Sequence, residues 1–203
     1  MQQIRKRLEQ CIHLMEGDFV VKDSHYEKEV CDIAQWECFD SRYYDAYDGK
    51  TYIEIKKGQN SMWFNMIRYA EIFVNIGTQN TITLFVKYNK NKKRVDEIFI
   101  MDTKRILTHL NMTPTKAACC IILNKDSKRS LHMQAGATAN DMREMSSMIV
   151  VNPHYLAEEC FKMLKQYTKQ QKRIRKKRKR VETSDRVSGV TWNKVSQLSL
   201  IHI

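Results

Sequence analysis

At 203 residues, 42% of them hydrophobic, the chain is long enough for one compact domain with its own core, plus tails. Six Gly and two Pro exclude a low-complexity or linker-like polymer, and no run of about 18 apolar residues offers a membrane span. A formal net charge of +12 favours a polyanionic partner, nucleic acid before an acidic membrane surface.

Residues 1–16 repeat apolar side chains at helical spacing (Ile4, Leu8, Cys11, Ile12, Met15), and Gly17 can end that helix. Ser24 followed by Glu27 forms a capping-box pattern for a second helix, with Tyr26, Val30, Ile33, Ala34 and Cys38 on its stripe. A β-hairpin is expected next. Ser41–Tyr47 is rich in Tyr, Thr51–Lys57 alternates Ile with polar residues, and Asp48-Gly49 between them suits a two-residue turn. Ser61 then suits the cap of a third helix carrying Met62, Met66, Tyr69, Ala70 and Phe73. Thr81–Tyr88 and Val95–Met101 read as strands around the polar turn Asn89–Lys93, and a short helix is expected over Thr103–Leu110. Ala117–Leu123 has the composition of a buried strand. Residues 124–147 give no clear pattern, and Met148–Val151 reads as a last short strand. Asn152-Pro153 reads as N-cap and first turn of a final helix, running through Leu164 and fading into a basic run. The expectation is an α/β domain over residues 1–168, a mixed β-sheet flanked by helices, followed by a C-terminal basic helix and mobile tail over 169–203.

The charge is uneven. Residues 169–180 hold nine Lys or Arg and no acid; without them the formal charge is about +3. Lys172, Arg173, Arg175, Lys176, Lys177, Arg178, Lys179 and Arg180 are therefore candidate phosphate contacts, and the same run fits a nuclear localisation signal. The expected location is the nucleus in a eukaryote and the cytoplasm otherwise. The charged start at Met1–Arg7 leads into no apolar signal core, so the six cysteines, none in a C-x-x-C pair, are expected as reduced thiols. His25, Cys31 and Cys38 fit no common zinc spacing.

Acid-x-Lys triplets occur four times, at Asp48/Lys50, Glu54/Lys56, Asp102/Lys104 and Asp126/Lys128, but only Glu54-Ile55-Lys56 lies inside an alternating apolar strand. With Asp48-Gly49 as the loop, Tyr47 pairs with Lys50 and Asp45 faces Tyr52. Asp45, Tyr52, Glu54 and Lys56 then share one face, with Asp45 and Glu54 diagonal neighbours about 7–8 Å apart at Cα. Two carboxylates at that spacing can converge on one Mg²⁺, a hard ion that takes one or two carboxylates plus water and substrate oxygens. Such an ion acidifies water and stabilises the charge developing on a phosphodiester, and a neighbouring lysine can orient or deprotonate that water.

Asp45, a turn, then Glu54-x-Lys56 on the next strand resembles the PD-(D/E)XK nuclease superfamily, most closely type II restriction endonucleases. A second likeness is to RecB-like exonucleases: Glu54-Ile55-Lys56-Lys57-Gly58 precedes a segment with Tyr69-Ala70, although Asn65 stands where that family has Gln. No Pro precedes Asp45, and the likeness covers residues 24–101. It implies a restriction-endonuclease-like fold and a Mg²⁺-dependent deoxyribonuclease, endonuclease in type, in which Mn²⁺ can substitute. Asp45 and Glu54 would hold the ion, the main-chain carbonyl of Ile55 would complete the shell, and Lys56 would be catalytic. Candidate accessory residues are Glu29 on the preceding helix, Gln59, Asn65 and Tyr69. Glu27 reads as a capping residue, Asp48 as a turn residue, Tyr69 equally as core. Trp63-Phe64 can stack on DNA, but aromatics early in a helix more often pack inside. DNA is the expected partner. A restriction-type subunit cuts one strand, so a homodimer is part of the expectation; a membrane or small-molecule cofactor is not. The alternative is a catalytically inactive nucleic-acid-binding module on the same fold.

Overall fold

The computed structural model describes residues 1–22, 25–39, 41–126 and 133–187. The chain divides into two compact units, Met1–Tyr155 and Leu156–Ile203. In chain order the first unit holds α1 (Gln2–Cys11) with a 3₁₀ turn Ile12–Leu14, α2 (Asp18–Val21), α3 (Tyr26–Ala34), β1 (Glu37–Cys38), β2 (Ala46–Tyr47), β3 (Tyr52–Gly58) and β4 (Ser61–Asn65). It continues through α4 (Met66–Glu71), which widens into a π-helical turn at Ile72–Ile76, then β5 (Thr81–Asn89), β6 (Arg94–Asp102), α5 (Thr103–His109), α6 (Pro114–Asp126), β7 (Gln134–Thr138), α7 (Ala139–Met145) and β8 (Ser146–Val151). Helix α8 (Pro153–Val187) supplies the described part of the second unit.

The fold is α/β, with a mixed sheet flanked by helices. Six strands run in the order β1-β2-β3-β5-β6-β8, and β4 pairs with β7 as a separate two-stranded ribbon. Only β3 and β5 are parallel; the other pairs of the main sheet are antiparallel. The strand period of two splits the core cleanly. Ile53, Ile55, Leu84, Val86, Ile98 and Ile100 pack on one face with Ile4 and Leu8 of α1 and Val30 and Cys31 of α3. Phe85, Phe99 and Met101 pack on the other with the inward side chains of β4 and with α4, α5, α6 and α7. Strands β5 and β6 are covered on both faces, which explains why they read as nearly continuous apolar runs.

Several expectations need correcting. Ser61 begins a strand, not a helix: Met62 and Phe64 are buried and alternate with exposed Ser61, Trp63 and Asn65. The helix starts at Met66, where the Asn65 side chain accepts from the amides of Ile67 and Arg68 at 3.1 Å each. That is an N-cap, one strand later than expected. The apolar stretch at Ala117–Leu123 is helical, within α6. Thr113 accepts from the Lys116 amide and Pro114 opens the helix. Ala117 and Cys120 are buried while Ile122 and Leu123 are exposed, a helical spacing that a continuous apolar run conceals. Cys38 belongs to β1 and not to the second helix, and α2 and β1 were not anticipated. The final helix does not fade at Leu164 but continues through the basic run, whose Lys, Arg and Gln are good helix formers. The expected cap Ser24 and the tail beyond residue 187 lie outside the described residues. No helix among the described residues is long and apolar enough to cross a membrane.

Candidate active site

The hairpin forms, but with a longer loop. Tyr47 pairs with Tyr52 and Ala46 with Ile53, two residues beyond the expected register. Asp48 sets this loop: its Oδ1 accepts from the amides of Lys50 (2.9 Å) and Thr51 (2.6 Å), while its own N–H donates to the Thr51 carbonyl. Such Asx turns are what short acids do best in loops. Because the offset is an even number of residues, the faces of β3 are kept.

Asp45 stands just before β2 and interrupts the ladder. Its N–H donates to the Ile53 carbonyl (2.9 Å), although Ile53 is the registered partner of Ala46. Its carbonyl accepts from the Phe39 amide and, at 3.8 Å, from the Cys31 thiol. The side chain, freed from the ladder, turns onto β3, where Oδ2 accepts from the Ile55 amide at 2.6 Å. The Ile55 carbonyl accepts from the buried hydroxyl of Tyr26 at 2.8 Å, which leaves it one further lone pair.

Glu54 lies on β3 opposite Thr83 of β5, 2% exposed. One carboxylate oxygen, Oε1, pairs with both Lys56 Nζ and the Arg68 guanidinium of α4. The other, Oε2, is buried and has no hydrogen-bond partner. Burial pushes the Glu54 carboxyl above the usual carboxylate range; Lys56 and then Arg68 oppose the shift, and the Asp45 charge adds to it. The two carboxylates are therefore close enough to feel each other.

The elements around the pair are tied down. Tyr69, on the same helix as Arg68, shares a 2.9 Å hydrogen bond with Thr83, and its phenol is pushed up by burial and then by Glu54. Arg42 in the loop before Asp45 donates to Glu71 of α4 at 2.6 Å. Tyr44 packs on Tyr52, ring centroids 5.3 Å apart, and burial pushes its phenol up to about 12. Gly58 ends β3 where a Cβ would lie 2.4 Å from the Ser61 carbonyl and 3.0 Å from the Phe85 ring, so only glycine lets β4 depart so closely.

Of the expected site residues, Asp45, Glu54, Ile55 and Lys56 come together. Asn65 uses its side-chain oxygen as the cap of α4, and Tyr69 is core with its hydroxyl on Thr83. Gln59 is exposed in the turn after β3 and lines a cleft of about 270 Å³ with Lys87, Tyr88 and Asp96. On α3, Glu29 is exposed, whereas half-buried Glu27 lies against Tyr26 and raises its phenol together with Asp45 and Glu54, after the larger effect of burial. Sequence reasoning missed Tyr26 and Arg68. Both sit on helices whose apolar stripes hid them, and no spacing rule links them to β3. The eight basic residues 172–180 lie on α8. Two of the rival triplets have local uses: Asp48 builds its turn, and Asp102 caps α5 through the Lys104 amide at 2.8 Å, while Lys128 of the third lies outside the described residues.

Asp45 and Glu54 supply oxygen donors alone, and among the described residues no three His, Cys, Asp or Glu side chains gather. One or two carboxylates suit Mg²⁺, and a soft-metal site is not indicated. Comparison with protein-family models gives no match, and comparison with curated proteins gives none either.

Proposed function

We propose that the chain is a metal-dependent nuclease that hydrolyses phosphodiester bonds of DNA, on a restriction-endonuclease-like sheet of the PD-(D/E)XK type. One observation carries this reading. Glu54 holds its carboxyl group in the interior with Oε2 unpartnered, beside a second carboxyl group, that of Asp45, anchored on the same strand. A buried, unsatisfied carboxylate oxygen is costly, and a hard divalent cation is the ligand that would relieve it. Asp45, Glu54 and the Ile55 carbonyl would hold Mg²⁺, or Mn²⁺ in its place. A divalent ion bound there acidifies water and balances charge developing on the phosphate.

The chain's own residues supply the rest. Lys56 and Arg68 put two cations on Glu54 Oε1, each side chain partly exposed, so both can also face a phosphate oxygen. Lys56 would donate to the attacking water and orient it, and Arg68 would steady the scissile phosphate. The basic stretch of α8 would add sequence-independent phosphate contacts.

A second reading, a non-catalytic DNA-binding module, draws support from the same cations. Lys56 and Arg68 already neutralise Glu54 without any metal. Incubating plasmid and linear DNA with the protein in Mg²⁺ or EDTA separates the two. Metal-dependent cutting supports the nuclease, and retention of DNA without cutting supports the module.

A further inference from the structure

The ribbon β4–β7 exposes one aromatic residue. Trp63 is 60% exposed, whereas Phe64 beside it is fully buried and packs edge-on against Tyr69 at 5.4 Å. Across the ribbon Trp63 faces Gly136. A Cβ on Gly136 would lie 3.2 Å from the indole, so the ring rests on bare backbone and its other surface is open. The remaining exposed outward positions, Ser61, Asn65, Gln134 and Thr138, carry no charge. An unsupported Trp side chain would be free to fold down onto the surface; this one is held on a platform.

We propose that Trp63 is a stacking platform for an unpaired nucleobase, which makes DNA with single-stranded character the substrate class. The inference rests on the nucleic-acid reading above for its ligand. A single ring among small polar residues lacks the contiguous apolar area of a protein interface, which needs several hundred Å² on each side. It matches one base, whose π-face an aromatic side chain recognises whatever the sequence. Position supports this. Strand β4 leaves β3 just after Lys56, and Trp63 stands two residues, about 7 Å along a strand, before the cap of the helix that carries Arg68. The segment from Lys56 to Arg68 thus carries both the cations on Glu54 and the exposed ring.

The test is binding in EDTA, so that no cleavage intervenes, using fluorescence anisotropy. The probes are oligo-dT of about twenty nucleotides, an abasic strand with the same phosphates, and a blunt duplex of equal length. The parent should bind oligo-dT about five- to a hundredfold tighter than the abasic strand, and tighter than the duplex. Trp63→Ala should fall to the abasic level, and Trp63→Phe should keep most of the preference. Equal binding of oligo-dT and abasic strand by the parent overturns the proposal, and so does a duplex bound as tightly as oligo-dT. A Trp63→Ala loss that is equal for both single strands overturns it too. The parent comparison needs no variant and can overturn the proposal even if a substitution unfolds the protein. A parent that prefers unpaired bases but never cuts in Mg²⁺ defeats the nuclease reading alone; one that cuts without the preference defeats this inference alone.

Discussion

Asn65 separates a structural role from a ligand role in one residue. Its side-chain oxygen accepts from two amides at the start of α4, Ile67 and Arg68, and the second of these carries the guanidinium that reaches Glu54. Replacing Asn65 by Ala leaves both donors to water at an exposed position, for which loss of an N-cap costs about 1 kcal/mol, within a range of about 0.5–2. For a domain of this size that lowers Tm by about 2–4 °C. Asn65→Asp keeps the acceptor and places a negative charge at the positive end of the helix, so its stability should stay within a few tenths of a kcal/mol of the parent. Thermal and urea unfolding of the parent and both variants measure this directly. If Asn65→Ala unfolds like the parent, or Asn65→Asp falls as far as Asn65→Ala, the cap is not what the residue does.

Arg68→Ala removes a group that lowers the Glu54 pKa, so Glu54 should ionise at higher pH and the acidic limb of metal-dependent cleavage should move up; an unmoved limb would contradict the pairing. The raised Glu54 pKa also fixes a sign for stability. The unfolded chain releases this proton at the ordinary value and the folded chain later, so between the two the folded state holds more protons and stability falls as pH rises. Glu54→Gln should remove that fall, seen as a flatter dependence of metal-free Tm on pH than the parent's. Gly58→Ala places a Cβ against the Ser61 carbonyl and should cost about 1–3 kcal/mol, visible in urea unfolding. Deleting residues 169–203 should weaken DNA binding and flatten its salt dependence while cleavage survives at low salt; loss of cleavage at saturating DNA would place the arm in the active site.

The hairpin was legible because its signals are local. Alternation over Thr51–Lys57 and the Asp48-Gly49 turn both report on neighbours in sequence, and the two-residue register offset left every face unchanged. The strands around Asn89–Lys93 were legible for the same reason. What failed depended on distant partners. Met62 and Phe64 alternate like a strand, yet Met66, Tyr69 and Ala70 beyond them continue a helical stripe. Only pairing with β7, from a segment without clear pattern, settles where one period ends and the other starts. Asn65 is a candidate accessory residue in the sequence because it stands where the resembled family has Gln, and its cap geometry depends on that same boundary. Arg68 and Tyr26 reach β3 through tertiary packing alone, which no window of sequence displays.

The central claim is that Asp45, Glu54 and Lys56 form a metal-dependent cutting site. Cleavage of single-stranded and plasmid DNA in Mg²⁺ by the parent, Glu54→Gln, Asp45→Asn and Lys56→Ala tests it, with Asp48→Asn and Asp102→Asn as controls, since Asn also suits their turn and cap. The expected result is cutting by the parent that EDTA abolishes, a loss of about a hundredfold or more in each of the three site variants, retained DNA affinity, and controls near the parent rate. Cleavage by Glu54→Gln as fast as the parent's would contradict the account.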